Sequence, residues 1–195
     1  MFPLNLPNAL TLVRILLVPV LVVALTVETA GGEAIAAIVF AIAALTDGLD
    51  GYIARSRQSV TTFGKVMDPV ADKLMIAAAL ISLVSLERLA AWVAMVIIAR
   101  EFAVSGLRIA AGQQGVVIPA SGLGKVKTIV QIVAVLALIA APDHNEAWVQ
   151  GLVYAMVAIT VASGADYFLN FRRRLDEAAR ERRAAASSPA TTQQP

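Results

Sequence analysis

Four aspartates carry the chemistry this chain can do. Asp47 and Asp50 stand three residues apart in Asp47-Gly48-Leu49-Asp50-Gly51-Tyr52-Ile53-Ala54-Arg55, and Asp68 and Asp72 stand four apart in Gly64-Lys65-Val66-Met67-Asp68-Pro69-Val70-Ala71-Asp72. On helices, each spacing puts its two carboxylates on one face. Four carboxylates meeting in one cleft cannot all stay ionised without cations, and hard oxygen donors suit magnesium or manganese. Two such ions roughly 3.5 to 4 Å apart form the clamp used in phosphoryl transfer. A competing reading pairs the aspartates with Arg55, Lys65 and Lys73 to hold helices together. It accounts poorly for the Gly51, Ala54 and Gly64 set among them, because small residues clear space for a bulky ligand. The chain has no cysteine and one histidine, His144, so thiolate sites are excluded and a carboxylate is the remaining general base.

The elements that must position these groups belong to a membrane. Of 195 residues, 58% are hydrophobic and 15% charged, too apolar to cover a water-soluble surface and the opposite of a disordered composition. A formal charge of +2 gives no field that argues for nucleic acid. A spanning helix takes roughly 20 apolar residues. Six such stretches are predicted near 5–27, 34–56, 66–86, 90–111, 118–141 and 147–171, with Pro69 confining the start of the third to about Lys65 or later. The first basic residue, Arg14, lies inside the first stretch, so no secretory signal is expected. All but Arg88 of the 16 basic residues fall toward the side that holds both termini, which is therefore predicted to be cytoplasmic. The second stretch turns polar at Asp47, the third is polar until Lys73, the fourth turns polar at Arg100-Glu101, and the fifth opens with Lys125 and Lys127. Charges at bilayer depth are costly unless they face one another or water, so these ends are expected to converge on one polar cavity open to the cytoplasm.

The pattern Asp-x2-Asp-Gly-x2-Ala-Arg-x8-Gly-x3-Asp-x3-Asp runs without departure from Asp47 to Asp72, and it resembles the signature of the CDP-alcohol phosphotransferases. The resemblance implies an all-α, six-helix membrane enzyme, a homodimer, that displaces CMP from a CDP-linked donor with an alcohol and uses Mg2+ or Mn2+, two ions in all. It implies metal binding by Asp47, Asp50, Asp68 and Asp72, with Asp72 also the general base. Gly51, Ala54 and Gly64 would make room for cytidine and ribose, and Arg55 would hold the diphosphate.

Acceptor identity must come from elsewhere in the chain. Arg100 and Arg108, eight apart, share a helix face, and Lys125 and Lys127 approach from the next helix. Such cations suit an anionic acceptor, with arginine able to grip a phosphate in bidentate fashion. Anchoring at lipid headgroups explains Arg172 to Arg174 but fits Arg100 poorly, since Glu101 and an apolar segment flank it. Arg100, Arg108 and Lys125 are the expected acceptor-phosphate ligands. Ser121-Gly122-Leu123-Gly124-Lys125 is no nucleotide P-loop, because Pro119 and Val126 stand where glycine and Ser or Thr are needed.

Asn5-Leu6-Pro7-Asn8 with Thr11 and Arg14, Arg100-Glu101 with Val104 to Arg108, and Gly124 to Thr128 extend the resemblance to the phosphatidylglycerophosphate-forming branch of the family. That branch implies attack by sn-glycerol 3-phosphate on CDP-diacylglycerol in a bacterial-type cytoplasmic membrane, with Asn8 on the nucleotide side. Cardiolipin synthases share parts of these motifs, and their acceptor, phosphatidylglycerol, is also anionic. A cation transporter with aspartates along an ion path is the rival of a different class, disfavoured because the carboxylates occur once and cluster at helix ends. Asp166 and Tyr167 are expected at an interhelical contact or, second, in the site wall; His144, Trp92 and Trp148 are expected at the external interface. The catalytic domain is taken as 1–173 and a basic tail as 174–195, disordered from Ala184.

Overall fold

The computed structural model describes residues 6–27, 31–57, 62–113 and 122–187; side chains at 6–8, 47–57, 62–66, 68, 69, 178, 179 and 181–187 lie outside the described set. Among the described residues six helices follow one another: α1 (Leu6–Thr26), α2 (Gly32–Arg57), α3 (Thr62–Ser85), α4 (Ala91–Gln113), α5 (Gly122–Ala140) and α6 (Ala147–Ser187). Among the described residues, three are long and apolar enough to cross a membrane, α1 over Ala9–Thr26, α5 over Gly122–Ala140 and α6 over Ala147–Glu177, while the apolar part of α2, Gly32–Thr46, is shorter. Large apolar side chains such as Leu16, Ile38, Leu45, Met95, Phe102, Ile129 and Leu169 point outward. That arrangement suits a lipid surround rather than water.

The spatial order of the helices differs from the chain order. α1 packs between α2 and α3, α2 on α5, α5 on α6, α6 on α4, and α4 on α3, which closes a ring α1-α2-α5-α6-α4-α3. α4 and α5, consecutive in the chain, are not among the extensively packed pairs of the described residues; each packs mainly on α6. The apolar core fills one half of this ring, the half holding the α1–α2, α3–α4 and α5–α6 connections. Leu21, Phe40, Leu80, Leu83, Ile97, Leu138, Ile139, Val149 and Met156 are all buried there.

The connections explain how that half is closed. After α3 the chain turns through Glu87, at φ 58°, and the amides of Arg88 and Leu89 both return to the carbonyl of Leu83. This is the left-handed cap that ends many helices. Arg88, the one base outside the positive side, has structural partners. It forms an ion pair with Glu33 at the start of α2 and donates from Nη1 to the carbonyls of Ile139 (3.1 Å) and Leu138 (3.5 Å) in the last turn of α5. A cation on otherwise unsatisfied C-terminal carbonyls is favourable by charge and by hydrogen bonding.

Two elements differ from the sequence expectation. α3 begins at Thr62, so Pro69 lies well past the first turn. A proline costs one backbone bond, here to the carbonyl of Lys65, and the turns on either side can continue the helix. The sixth helix, expected to end near 171 with disorder from Ala184, instead runs to Ser187, and 188–195 lie outside the described residues. Alanines and oppositely charged residues at helical spacing make this stretch a good helix former, with Arg174 and Glu177 paired at 3.7 Å.

Candidate active site

The other half of the ring is polar inside. Two cavities lie there and share a wall made of Asp72 and Lys73 on α3, Glu101 on α4, and Lys127 and Thr128 on α5. The deeper one, about 210 Å³, borders the apolar core and adds Arg14, Phe40, Ala43, Ala44, Met75, Ile76, Gln131 and Ile132. The second, about 270 Å³, is cationic and adds Arg100, Val104, Ser105, Arg108, Gly124, Lys125 and Tyr167. Helical periodicity accounts for both linings. Arg100-Glu101, Val104-Ser105 and Arg108 recur every four residues along α4, while Gly124, Lys127-Thr128 and Gln131 form a stripe at the same period along α5. Each stripe turns inward because lipid on the outer surface would leave its polar groups unsolvated.

Charge is organised around Glu101. Its Oε1 accepts from Lys127 Nζ at 2.6 Å and from Arg100 Nη1 at 3.1 Å. Arg100 Nη2 donates to Ser163 Oγ on α6 at 3.0 Å, and that hydroxyl donates to the carbonyl of Thr160 at 3.1 Å. Gly164 makes room for the arginine stem: a Cβ there would sit 3.2 Å from Arg100 Cγ. Arg108 lies with its guanidinium 5.9 Å from the centre of the Tyr167 ring, within cation–π range. Arg108 and Lys125 are both exposed, whereas Lys127 is buried. Arg14, 2% exposed, is the largest fully buried side chain among the described residues and lies where the deep cavity meets α1.

The expected acceptor residues, Arg100, Arg108 and Lys125, thus line one cavity together with Asp72. Arg100 differs from its neighbours in having both η nitrogens directed at protein partners. Asp47, Asp50, Gly51, Ala54 and Arg55 fall on the last turns of α2, and Gly64 and Asp68 on the first turns of α3. Their side chains, with that of Asn8 on α1, lie outside the described residues. Of the four aspartates only Asp72 has a described side chain, and the described residues hold no cluster of three or more carboxylate, imidazole or thiol groups. Tyr167 is both things weighed for it, a buried interhelical contact and a piece of the cavity wall. Glu101 and Gln131 were missed as site residues; the polar stripe of α5 and the carboxylate beside Arg100 in an apolar helix were the signals that mark them. His144 lies on the α5–α6 connection, at the end of the bundle opposite the cavities.

Comparison with known proteins fits this geometry. Residues 4–163 match the CDP-alcohol phosphatidyltransferase family. A Bacillus subtilis protein named "CDP-diacylglycerol--glycerol-3-phosphate 3-phosphatidyltransferase" is 43% identical over 183 residues, covering 84% of this chain and 93% of its own. A Rickettsia felis protein of the same name is 37% identical over 174 residues with the same coverage, and an Arabidopsis thaliana chloroplastic/mitochondrial one is 39% identical over 182 residues, covering 84% of this chain and 62% of its own. An aspartate signature, six helices and a match over most of the length lead to one conclusion: the chain belongs to the CDP-alcohol phosphatidyltransferase family.

Proposed function

We propose that this protein transfers the phosphatidyl group of CDP-diacylglycerol to sn-glycerol 3-phosphate, giving phosphatidylglycerol phosphate and CMP. The observation that carries the reading is the cationic cavity, which Arg100, Arg108 and Lys125 line together with Asp72. An acceptor bearing a phosphate monoester is drawn to such a site, and a neutral alcohol has no use for it. The relatives named above are named for this reaction.

In the proposed reaction the acceptor phosphate rests against Arg108 and Lys125, with Arg100 behind them, and the acceptor's primary hydroxyl faces Asp72. Asp72 takes the hydroxyl proton as the oxygen bonds to the phosphorus nearest the lipid. The bond from that phosphorus to the bridging oxygen breaks, and CMP leaves with the electron pair. Holding both reactants in one enclosed site supplies much of the acceleration, because the attack becomes effectively intramolecular. Asn8, Gly51, Ala54, Arg55 and Gly64 are assigned to the CDP-diacylglycerol side.

The donor set fits divalent magnesium or manganese. Asp72 reaches the cavity with oxygen ligands, no cysteine exists in the chain, and the single histidine lies at the far end. Asp47, Asp50, Asp68 and Asp72 would hold the ions, two in this proposal, and the ions would offset the charge of the diphosphate and of the departing CMP. All six helices are proposed to cross a bacterial-type cytoplasmic membrane, with both termini and the cavities on the cytoplasmic side and two chains paired as a homodimer. The positive-side distribution of basic residues supports that orientation.

The test is CMP release by purified protein in detergent supplied with CDP-diacylglycerol, labelled glycerol 3-phosphate and magnesium. No release sinks the reading. Phosphatidylglycerol in place of glycerol 3-phosphate is expected to support little turnover; equal turnover would favour cardiolipin synthesis instead.

A further inference from the structure

We propose that Glu101 is a positioning residue of the acceptor pocket, a role that rests on the phosphatidyltransferase reading above. One carboxylate oxygen, Oε1, takes hydrogen bonds from Lys127 at 2.6 Å and Arg100 at 3.1 Å. The two cations come from different helices. α4 and α5 are not among the extensively packed helix pairs of the described residues, and the Glu101–Lys127 ion pair joins them directly. It does so on the wall common to both cavities.

Burial makes the pairing obligatory. The side chains of Lys127, Glu101 and Arg100 are 8%, 14% and 14% exposed, and a buried ammonium stripped of its partner is strongly disfavoured where it stands. Glu101 therefore fixes the Lys127 ammonium and, with Ser163, locks the Arg100 guanidinium at both η nitrogens. The result is a fixed wall in the same cavity as the two exposed cations, Arg108 and Lys125. A carboxylate near an anion site also repels the anion. That effect is the smaller one here, since two cations at hydrogen-bonding distance already overcompensate the single negative charge. Geometry, more than net charge, is what Glu101 contributes.

Steady-state kinetics on the full-length protein in detergent, with each substrate varied in turn, tests this. Glu101→Ala is expected to raise the KM for glycerol 3-phosphate at least about tenfold while the KM for CDP-diacylglycerol stays within about twofold. Glu101→Gln keeps an oxygen acceptor at the same reach, and is expected to recover most of the loss. Lys127→Met should reproduce the Glu101→Ala shift, and the double variant should be no worse than either single one, as coupling through one contact requires. Should Glu101→Ala not fold, Lys127→Met and Glu101→Gln decide the matter by the same two KM values. Equal losses for both substrates, a fall in kcat alone, a lowered KM for glycerol 3-phosphate, or additive single effects would overturn the proposal. Wild-type protein that releases no CMP overturns the parent reading instead, so the two failures are told apart.

Discussion

The two halves of the helix ring are built from the same six helices and solve opposite problems. In the half with the α1–α2, α3–α4 and α5–α6 connections, Leu, Ile, Phe and Met fill the space between helices, and a single cation, Arg88, is consumed in tying α2, the α3–α4 turn and α5 together. In the other half the helices stand apart around two cavities, and the charges face inward across them. A bundle in lipid gains little from the hydrophobic effect between helices, so close packing must come from one region if another is to stay open. The packed half holds the frame that keeps the polar half from collapsing.

That division predicts separable consequences of mutation. The largest concerns Asp72→Asn, expected to lower CMP release by about 10² to 10⁴ with an unchanged melting curve, the range typical of losing a general base. Residual turnover near wild type would remove Asp72 from the chemistry. Next, Arg108→Ala and Lys125→Ala should each raise the KM for glycerol 3-phosphate by about tenfold, on the order of one charge-assisted hydrogen bond, with stability unaffected. In the packed half the pattern should invert. Leu83→Ala or Leu138→Ala, both fully buried, should cost about 2 to 5 kcal/mol of stability by detergent unfolding while activity per folded molecule is retained. Arg88→Met should cost about 1 to 3 kcal/mol through the orphaned carbonyls and Glu33. The smallest and most diagnostic change is Gly164→Ala. Its added Cβ would press on the Arg100 stem at 3.2 Å, so a few-fold rise in KM for glycerol 3-phosphate is expected, and a loss of stability with no kinetic change would blur the line between the halves.

Much of this partition was legible from the residues. Long apolar runs located five helices and the start of the sixth to within about four residues, and the switch from apolar to charged within α2 to α5 indicated that one end would be polar inside. Arg100, Arg108 and Lys125 were chosen by spacing and do line one cavity with Asp72. What spacing could not give was pairing between helices. Whether Glu101 meets Lys127 depends on where α5 lies relative to α4, a fact of three-dimensional order that no helical period encodes. Pro69 departs from expectation for a different reason: proline is best suited to a first turn, but α3 tolerates the one missing bond in its interior. The length of α6 was underestimated because a polar, alanine-rich stretch reads as tail by hydropathy and as helix by propensity.

The order of the helices around the ring also sets a timetable. α6 follows the other five helices in synthesis, yet it packs on both α4 and α5, bringing Ser163 and Gly164 to Arg100 and Tyr167 to the cationic cavity. Until it arrives, Arg100 lacks its Ser163 partner and Arg108 has no ring beneath it. A nascent chain with five helices in place is therefore a container without its last stave, and competence for the reaction comes only when translation has delivered the sixth.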